Sequence, residues 1–165
     1  MGYRERFYEF IDKVKARIIE HYKERLTTIA IFGSVAGDTF RPDSDIDILI
    51  IADELPKGRI KRVQEFDEHI EKNLLDDIYK LYKEGIPLRL SPLFKTPEEV
   101  RLGSPLFLDM TERVKILYDK KDFFKAYLED LKEKLKKLGA RKIFYKGGYY
   151  WELKPDYKYG EIIEL

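Results

Sequence analysis

The stretch Gly33–Ile50, "GSVAGDTFRPDSDIDILI", decides how the rest of the chain is read. Its second half sets aspartates at 43, 45 and 47 and then runs into uninterrupted aliphatic residues. On a strand, residues two apart face the same side, so Asp45 and Asp47 project together while Ile46 and Ile48 face the other way. Two carboxylates roughly 6 Å apart repel by about 3 kcal/mol at an effective dielectric near 20. A strand that only packs has no use for that repulsion, so the pair answers to something positive outside the strand. A hard divalent cation, Mg²⁺ or Mn²⁺, fits, because such ions are held by one or two carboxylates plus substrate phosphates. A calcium loop of the EF-hand type is excluded, since it needs Gly where Ile48 stands.

Working outward, Thr27–Phe32 ("TTIAIF") reads as a buried strand delivered to a tight turn at Gly33-Ser34. A second strand covers Asp45–Ala52, and "RPDS" between the two is turn chemistry. A strand that ends in Gly-Ser and enters a short helix offers free backbone N–H groups and a hydroxyl, which suit a phosphate. Phosphate cradle and metal carboxylates on neighbouring strand ends are the arrangement that metal-assisted phosphoryl chemistry requires.

Upstream, Phe7, Phe10, Ile11, Val14, Ile18 and Tyr22 recur at helical period and predict an amphipathic helix from Tyr3 to about Arg25. Downstream, Ile60, Val63, Phe66, Ile70, Leu74, Ile78 and Leu81 predict one long amphipathic helix ending near Gly85. "IPLRLSPLF", Ile86–Phe94, reads as a third strand whose Pro92 assigns it to an edge or a bulge. "RVKILY", Arg113–Tyr118, is a short strand, Asp122–Leu138 a helix capped by Gly139, and the aromatic, turn-rich end a hairpin or wrapping tail.

These residues carry a resemblance. Gly33-Ser34, then Ala36 and Gly37, and "SDIDILI" from Ser44 resemble the signature of the DNA polymerase β-like nucleotidyltransferase superfamily, and in particular its small, minimal archaeal and bacterial domains. The motif spans Gly33–Ile50, and its helix and strand context extends the match to about residues 5 to 95. The resemblance implies an α/β (α+β) fold, a small mixed β-sheet flanked by helices, with residues 1–95 as the nucleotidyltransferase core. Residues 96–165 are a C-terminal extension packed on it, with a helix and an aromatic hairpin or tail; "SPLFLDM", "ILYDK" and "YYWELKP" resemble extensions of archaeal members. It further implies a nucleoside triphosphate held at Gly33 and Ser34, metal held by Asp45 and Asp47, and transfer of a nucleoside monophosphate to an acceptor that is protein, RNA or a small molecule.

One feature departs from the pattern. Members usually carry a third carboxylate on a neighbouring strand, and here that strand offers Arg89 and Ser91. Glu98 and Glu99 are the downstream candidates for the missing acid; the competing reading makes them the first turn of a helix after Pro97. Loss of the third acid weakens catalysis more than nucleotide binding, so the rival expectation is a catalytically weak or inactive nucleotide-binding protein, of antitoxin type, with a small helical partner protein.

Other residues have plainer readings. Asp43 belongs to the turn, Arg41 to an exposed loop, and Asp38 to solvent or a cap. His21 and His69 lie on helices without a second ligand at metal spacing. The basic stretch Lys132–Lys146 running into Tyr149, Tyr150 and Trp151 could grip single-stranded nucleic acid, but it equally describes the wet face of a helix followed by core aromatics.

Composition bounds the rest. At 165 residues the chain can bury a full core. Its 32 Lys+Arg against 31 Asp+Glu give no global charge for nucleic acid or membranes. The absence of Cys rules out disulfides and thiolate metal sites, and no apolar run is long enough to span a bilayer, so a cytoplasmic protein without membrane association is expected. One Asn and one Gln among 165 residues point to a thermophilic source.

Overall fold

The computed structural model describes residues 2–165. The chain opens with α1 (Tyr3–Tyr22), whose buried face is Phe7, Phe10, Ile11, Val14, Ile18 and Tyr22, the set that the helical period picks out. Lys23, at φ 51°, ends the helix and turns the chain into β1 (Leu26–Phe32). A single helical turn, α2 (Gly33–Ala36), and a loop lead to β2 (Asp45–Ala52). β1 and β2 pair antiparallel, with Phe32 opposite Asp47.

The long helix expected after Gly58 is two helices, α3 (Arg59–His69) and α4 (Leu75–Lys83), separated by a 3-10 turn at Glu71–Leu74. Burial explains the break. Ile70, just before the turn, and Leu74, its last residue, are both almost fully buried, so the kink lets two short helices each lay apolar residues on the sheet. The Asn73 amide donates to the His69 carbonyl across the break, at 2.9 Å, supplying a partner at the helix end.

β3 (Arg89–Lys95) runs parallel to β2, and its register sets Arg89 beside Asp45 and Ser91 beside Asp47. It starts three residues later than the sequence suggests and lies at an edge, where Pro92 removes no needed donor. Two short helices, α5 (Pro97–Leu102) and α6 (Leu106–Met110), precede β4 (Lys115–Asp119), which closes the other edge against β1. The four-stranded mixed sheet has the order β3-β2-β1-β4. α7 (Phe123–Leu138) and the hairpin of β5 (Arg141–Tyr145) and β6 (Gly148–Glu152) complete the chain.

The alternation along β2 divides the core in two. Ile46, Ile48, Ile50 and Ala52 face α1, α3 and α4. Leu49 and Ile51, on the aspartate side, pack with Ala30 against Phe107, Phe124, Leu128 and Leu131. Both faces are therefore covered, which is why the aliphatic run after Asp47 is continuous. Residues 96–165 supply that second layer and the fourth strand, so the segment set out as an extension is built into the sheet. Asp119 fastens it: its carboxylate accepts from the buried Thr28 hydroxyl (2.8 Å) and from the Phe124 and Lys125 N–H groups that open α7 (both 2.9 Å). Among the described residues no helix is long and apolar enough to cross a membrane.

Candidate active site

Asp45 and Asp47 stand at the start of β2, on the face that the C-terminal layer covers. Asp45 is exposed and Asp47 half-buried. Partial burial, and then the like charge of Asp45, push the Asp47 carboxyl above the usual carboxylate range, while a hydrogen bond from Ser91 partly offsets them. Gly33 follows Phe32, the residue opposite Asp47, and so comes against the aspartate side chain. Its φ is +71°, and a Cβ there would overlap the Asp47 carboxylate oxygen. Glycine is required on both counts.

Gly33 and Asp47, with Phe32 beside them, line a cleft of about 590 Å³, within the range of small-molecule sites. The other walls come from α6 and the turn after it (Asp109, Glu112, Arg113) and from the hairpin (Lys142, Phe144, Tyr149). Ser34, next to Gly33, and Asp45, two residues before Asp47, do not line the cleft themselves. Arg113 reaches the cleft over Gly37, where a Cβ would lie 2.6–2.7 Å from its guanidinium and Cδ atoms. The hairpin is pinned to this wall: Asp109 accepts from the Tyr149 hydroxyl (2.7 Å) and the Trp151 indole (3.0 Å), and Lys142 pairs with Glu112 (3.2 Å).

Arg113, Asp109 and the cleft-facing side of the hairpin escape the sequence reading. The signal that could have found the hairpin residues is alternation. Register places Lys142 opposite Trp151 and Phe144 opposite Tyr149, one face of a two-stranded ribbon turned by Lys146-Gly147, both at positive φ.

The sheet register also locates the candidate third acids. Thr96 follows Lys95, which pairs with Ile51, so Glu98 and Glu99 leave the sheet four residues beyond the Asp47 level, about 13 Å along the strand at 3.3 Å per residue. Glu99 there makes a capping box with Thr96 and an ion pair with Arg62 (2.7 Å), and Glu98 is exposed in the same first turn. The structure does not bring either to Asp45 and Asp47.

The remaining singled-out residues also have defined places. Ser44 closes the loop turn by accepting from the Arg41 N–H (2.8 Å), and Asp43 pairs with Arg41 at the surface (3.3 Å). Asp38 is exposed, as the solvated reading expects, and in addition accepts from Tyr8 and pairs with Lys115 (2.9 Å), tying the loop to α1 and β4. His21 and His69, remote in sequence, stack with ring centroids 4.4 Å apart, and His21 meets Glu65 at 3.0 Å.

A divalent cation can be tested against this chemistry. Among the described residues no group of three or more His, Cys, Asp or Glu side chains is placed to hold a metal. What is present, two carboxylates two residues apart on β2 with Asp47 lining an open cleft, fits an ion that completes its oxygen shell with phosphate and water.

Comparison with known proteins accords with this geometry. The sequence model of the nucleotidyltransferase domain family matches residues 11–144. A Methanocaldococcus jannaschii protein named "Putative protein adenylyltransferase MJ1305" is 35% identical over 133 residues, covering 79% of this chain and 81% of that protein. Spectinomycin adenyltransferase AAD(9) from Enterococcus faecialis, solved with ATP and spectinomycin, superposes with a TM-score of 0.50 at 17% identity, over 72% of this chain and 58% of that one. A toxin-antitoxin crystal structure with AMP-PNP gives a TM-score of 0.48 at 18% identity, over 76% of this chain and 86% of that one, too low to carry weight. The chain belongs to the nucleotidyltransferase domain family, and its mixed sheet flanked by helices is the nucleotidyltransferase fold.

Proposed function

We propose that the protein transfers a nucleoside monophosphate from a nucleoside triphosphate to an acceptor hydroxyl, with the triphosphate held at Gly33 and Ser34 and a divalent cation held by Asp45 and Asp47. The observation that carries this reading is the contact of Gly33 with the Asp47 carboxylate in the lining of an open cleft. The name of the M. jannaschii relative supports adenylate as the group moved and protein as the acceptor.

The reaction joins the acceptor oxygen to the α-phosphorus, breaks the bond to the β-phosphate bridging oxygen, and releases pyrophosphate and the acceptor proton. When bound, the cation would polarise the phosphate oxygens and offset their charge. The chain's own part is positioning. Gly33 lets the backbone approach the phosphates without a side chain in the way, and Ser34 adds a hydroxyl donor. Arg113, entering the cleft over Gly37, places a fixed positive charge against the triphosphate.

Incorporation of label from α-³²P nucleotides into a cell extract, comparing the wild type with Asp45→Asn/Asp47→Asn, tests the reading. Label transferred by the wild type alone supports it, and equal incorporation by both proteins would sink it.

A second reading has its own observation. Arg89 and Ser91 sit beside Asp45 and Asp47 on β3, where a third carboxylate would serve. This favours a nucleotide-binding protein of low or no activity, acting with a helical partner. Nucleotide binding without any incorporation would select it.

A further inference from the structure

The cleft mixes charged and aromatic walls: Asp47, Arg113 and Lys142 line it together with Phe32 on the sheet side and Phe144 and Tyr149 on the hairpin. Phe144 is 75% exposed, a large apolar ring left open to water inside the site. Burial of that surface is favourable for any flat apolar group that reaches it. Tyr149 is less free: its hydroxyl is held by Asp109 and Lys142 Nζ lies 3.9 Å from its ring centroid. Its ring is 6.2 Å from that of Phe144, tilted by 56°, and Phe144 is the more exposed of the two.

Resting on the nucleotide reading above, we propose that the hairpin is the base-binding wall of the site, and that the nucleobase stacks on Phe144. A nucleoside triphosphate is charged at one end and flat and aromatic at the other, and the cleft that holds Gly33 and Asp47 also carries the exposed Phe144 ring on its hairpin wall. The volume of about 590 Å³ suits one such molecule, which leaves a macromolecular acceptor to approach from outside. The wall is built in advance. Asp109 and Glu112 fasten Tyr149, Trp151 and Lys142, so little ordering is needed when the base arrives. Stacking accepts every base but favours the larger ring systems. ATP and GTP are therefore expected to bind a few-fold more tightly than CTP and UTP.

The test is calorimetric titration of the full chain with ATP, CTP and inorganic tripolyphosphate, using Ca²⁺ to suppress turnover. The variants are Phe144→Ala, Phe144→Trp and, on the outer face of the hairpin, Tyr145→Ala. Phe144 and Tyr145 are both exposed, so the fold tolerates the changes. Phe144→Ala should weaken ATP by about 10-fold or more and leave tripolyphosphate unchanged, as loss of one stacking partner predicts. Phe144→Trp should keep or improve ATP affinity, and Tyr145→Ala should change nothing. Unchanged ATP affinity in Phe144→Ala, or an equal loss for ATP and tripolyphosphate, overturns the base-wall proposal while leaving the nucleotide site in place. A wild type that binds neither ATP nor tripolyphosphate removes the nucleotide reading itself, and this proposal with it.

Discussion

The backbone of Gly33 lies so close to the carboxylate of Asp47 that no side chain fits between them. Gly33→Ala therefore meets two penalties, a methyl group against a charged oxygen and a left-handed φ that costs about 1–2 kcal/mol outside glycine. Only the first depends on Asp47. In Asp47→Ala, the same Gly33→Ala change should cost measurably less, and a double-mutant cycle by chemical denaturation should give a coupling of about 0.5–3 kcal/mol. Strict additivity would mean the contact is not felt.

Asp47 is held above the usual carboxylate range by burial first and Asp45 second. The folded protein then binds a proton at this site more readily than the unfolded chain, so the group lowers stability increasingly as pH rises from the ordinary Asp value, about 3.9, through its raised folded value. Metal-free Asp47→Asn should melt higher than the wild type at pH 7, and the gap should close as pH falls below about 3.9. The same variant should lose transfer by at least about 100-fold, beyond what removal of an outer-shell partner costs. A lower melting temperature at neutral pH would contradict the account.

Ser91 opposes the rise at Asp47 through its hydrogen bond. Ser91→Ala should move the acid limb of nucleotide-transfer activity to higher pH while leaving the alkaline side unchanged. A pH profile of kcat/KM reads this directly.

Glu99 is bound into the Thr96 capping box and to Arg62, remote from Asp47 along the strand. Glu99→Gln should cost about 1 kcal/mol of stability, the scale of a lost cap, with transfer unaffected. Glu98→Gln should change neither. A large loss of turnover in a folded Glu98→Gln or Glu99→Gln protein would restore one of them as the missing acid.

Gly37 leaves room for Arg113, whose guanidinium and Cδ would lie 2.6–2.7 Å from a Cβ there. The obstructed atoms belong to a flexible side chain, so Gly37→Ala should barely change stability yet displace the cation from the cleft. Gly37→Ala and Arg113→Ala should each weaken nucleotide binding by about 10-fold, the scale of a charged hydrogen bond, and the double variant should be no worse than Arg113→Ala.

Much of this was legible in the sequence because it is local. The alternation of Asp45 and Asp47 with Ile46 and Ile48 fixed which side of β2 carries charge, and the helical period fixed the buried face of α1 residue by residue. The Gly33-Ser34 ending of β1 announced a tight turn. The break between α3 and α4 was not legible, because Ile70 and Leu74 continue the helical period and only the sheet beneath them rewards the kink. His21 and His69 read as separate surface residues for the same reason, since nothing local indicates that two helices bring their rings together.

The sequence by itself determined the family motif, the two aspartates and the amphipathic elements, since each depends on periodicity or turn chemistry within a few residues. It also exposed the absent third carboxylate, for Arg89 and Ser91 can be read without coordinates. Tertiary structure alone decided what faces those aspartates. The register of β3 sent Glu98 and Glu99 to the far end of the sheet, while the hairpin after α7 folded back to wall the cleft with Phe144 and Tyr149. That return depends on Asp109 and Glu112 meeting Tyr149, Trp151 and Lys142, contacts between residues 30 to 42 positions apart, which no local pattern encodes.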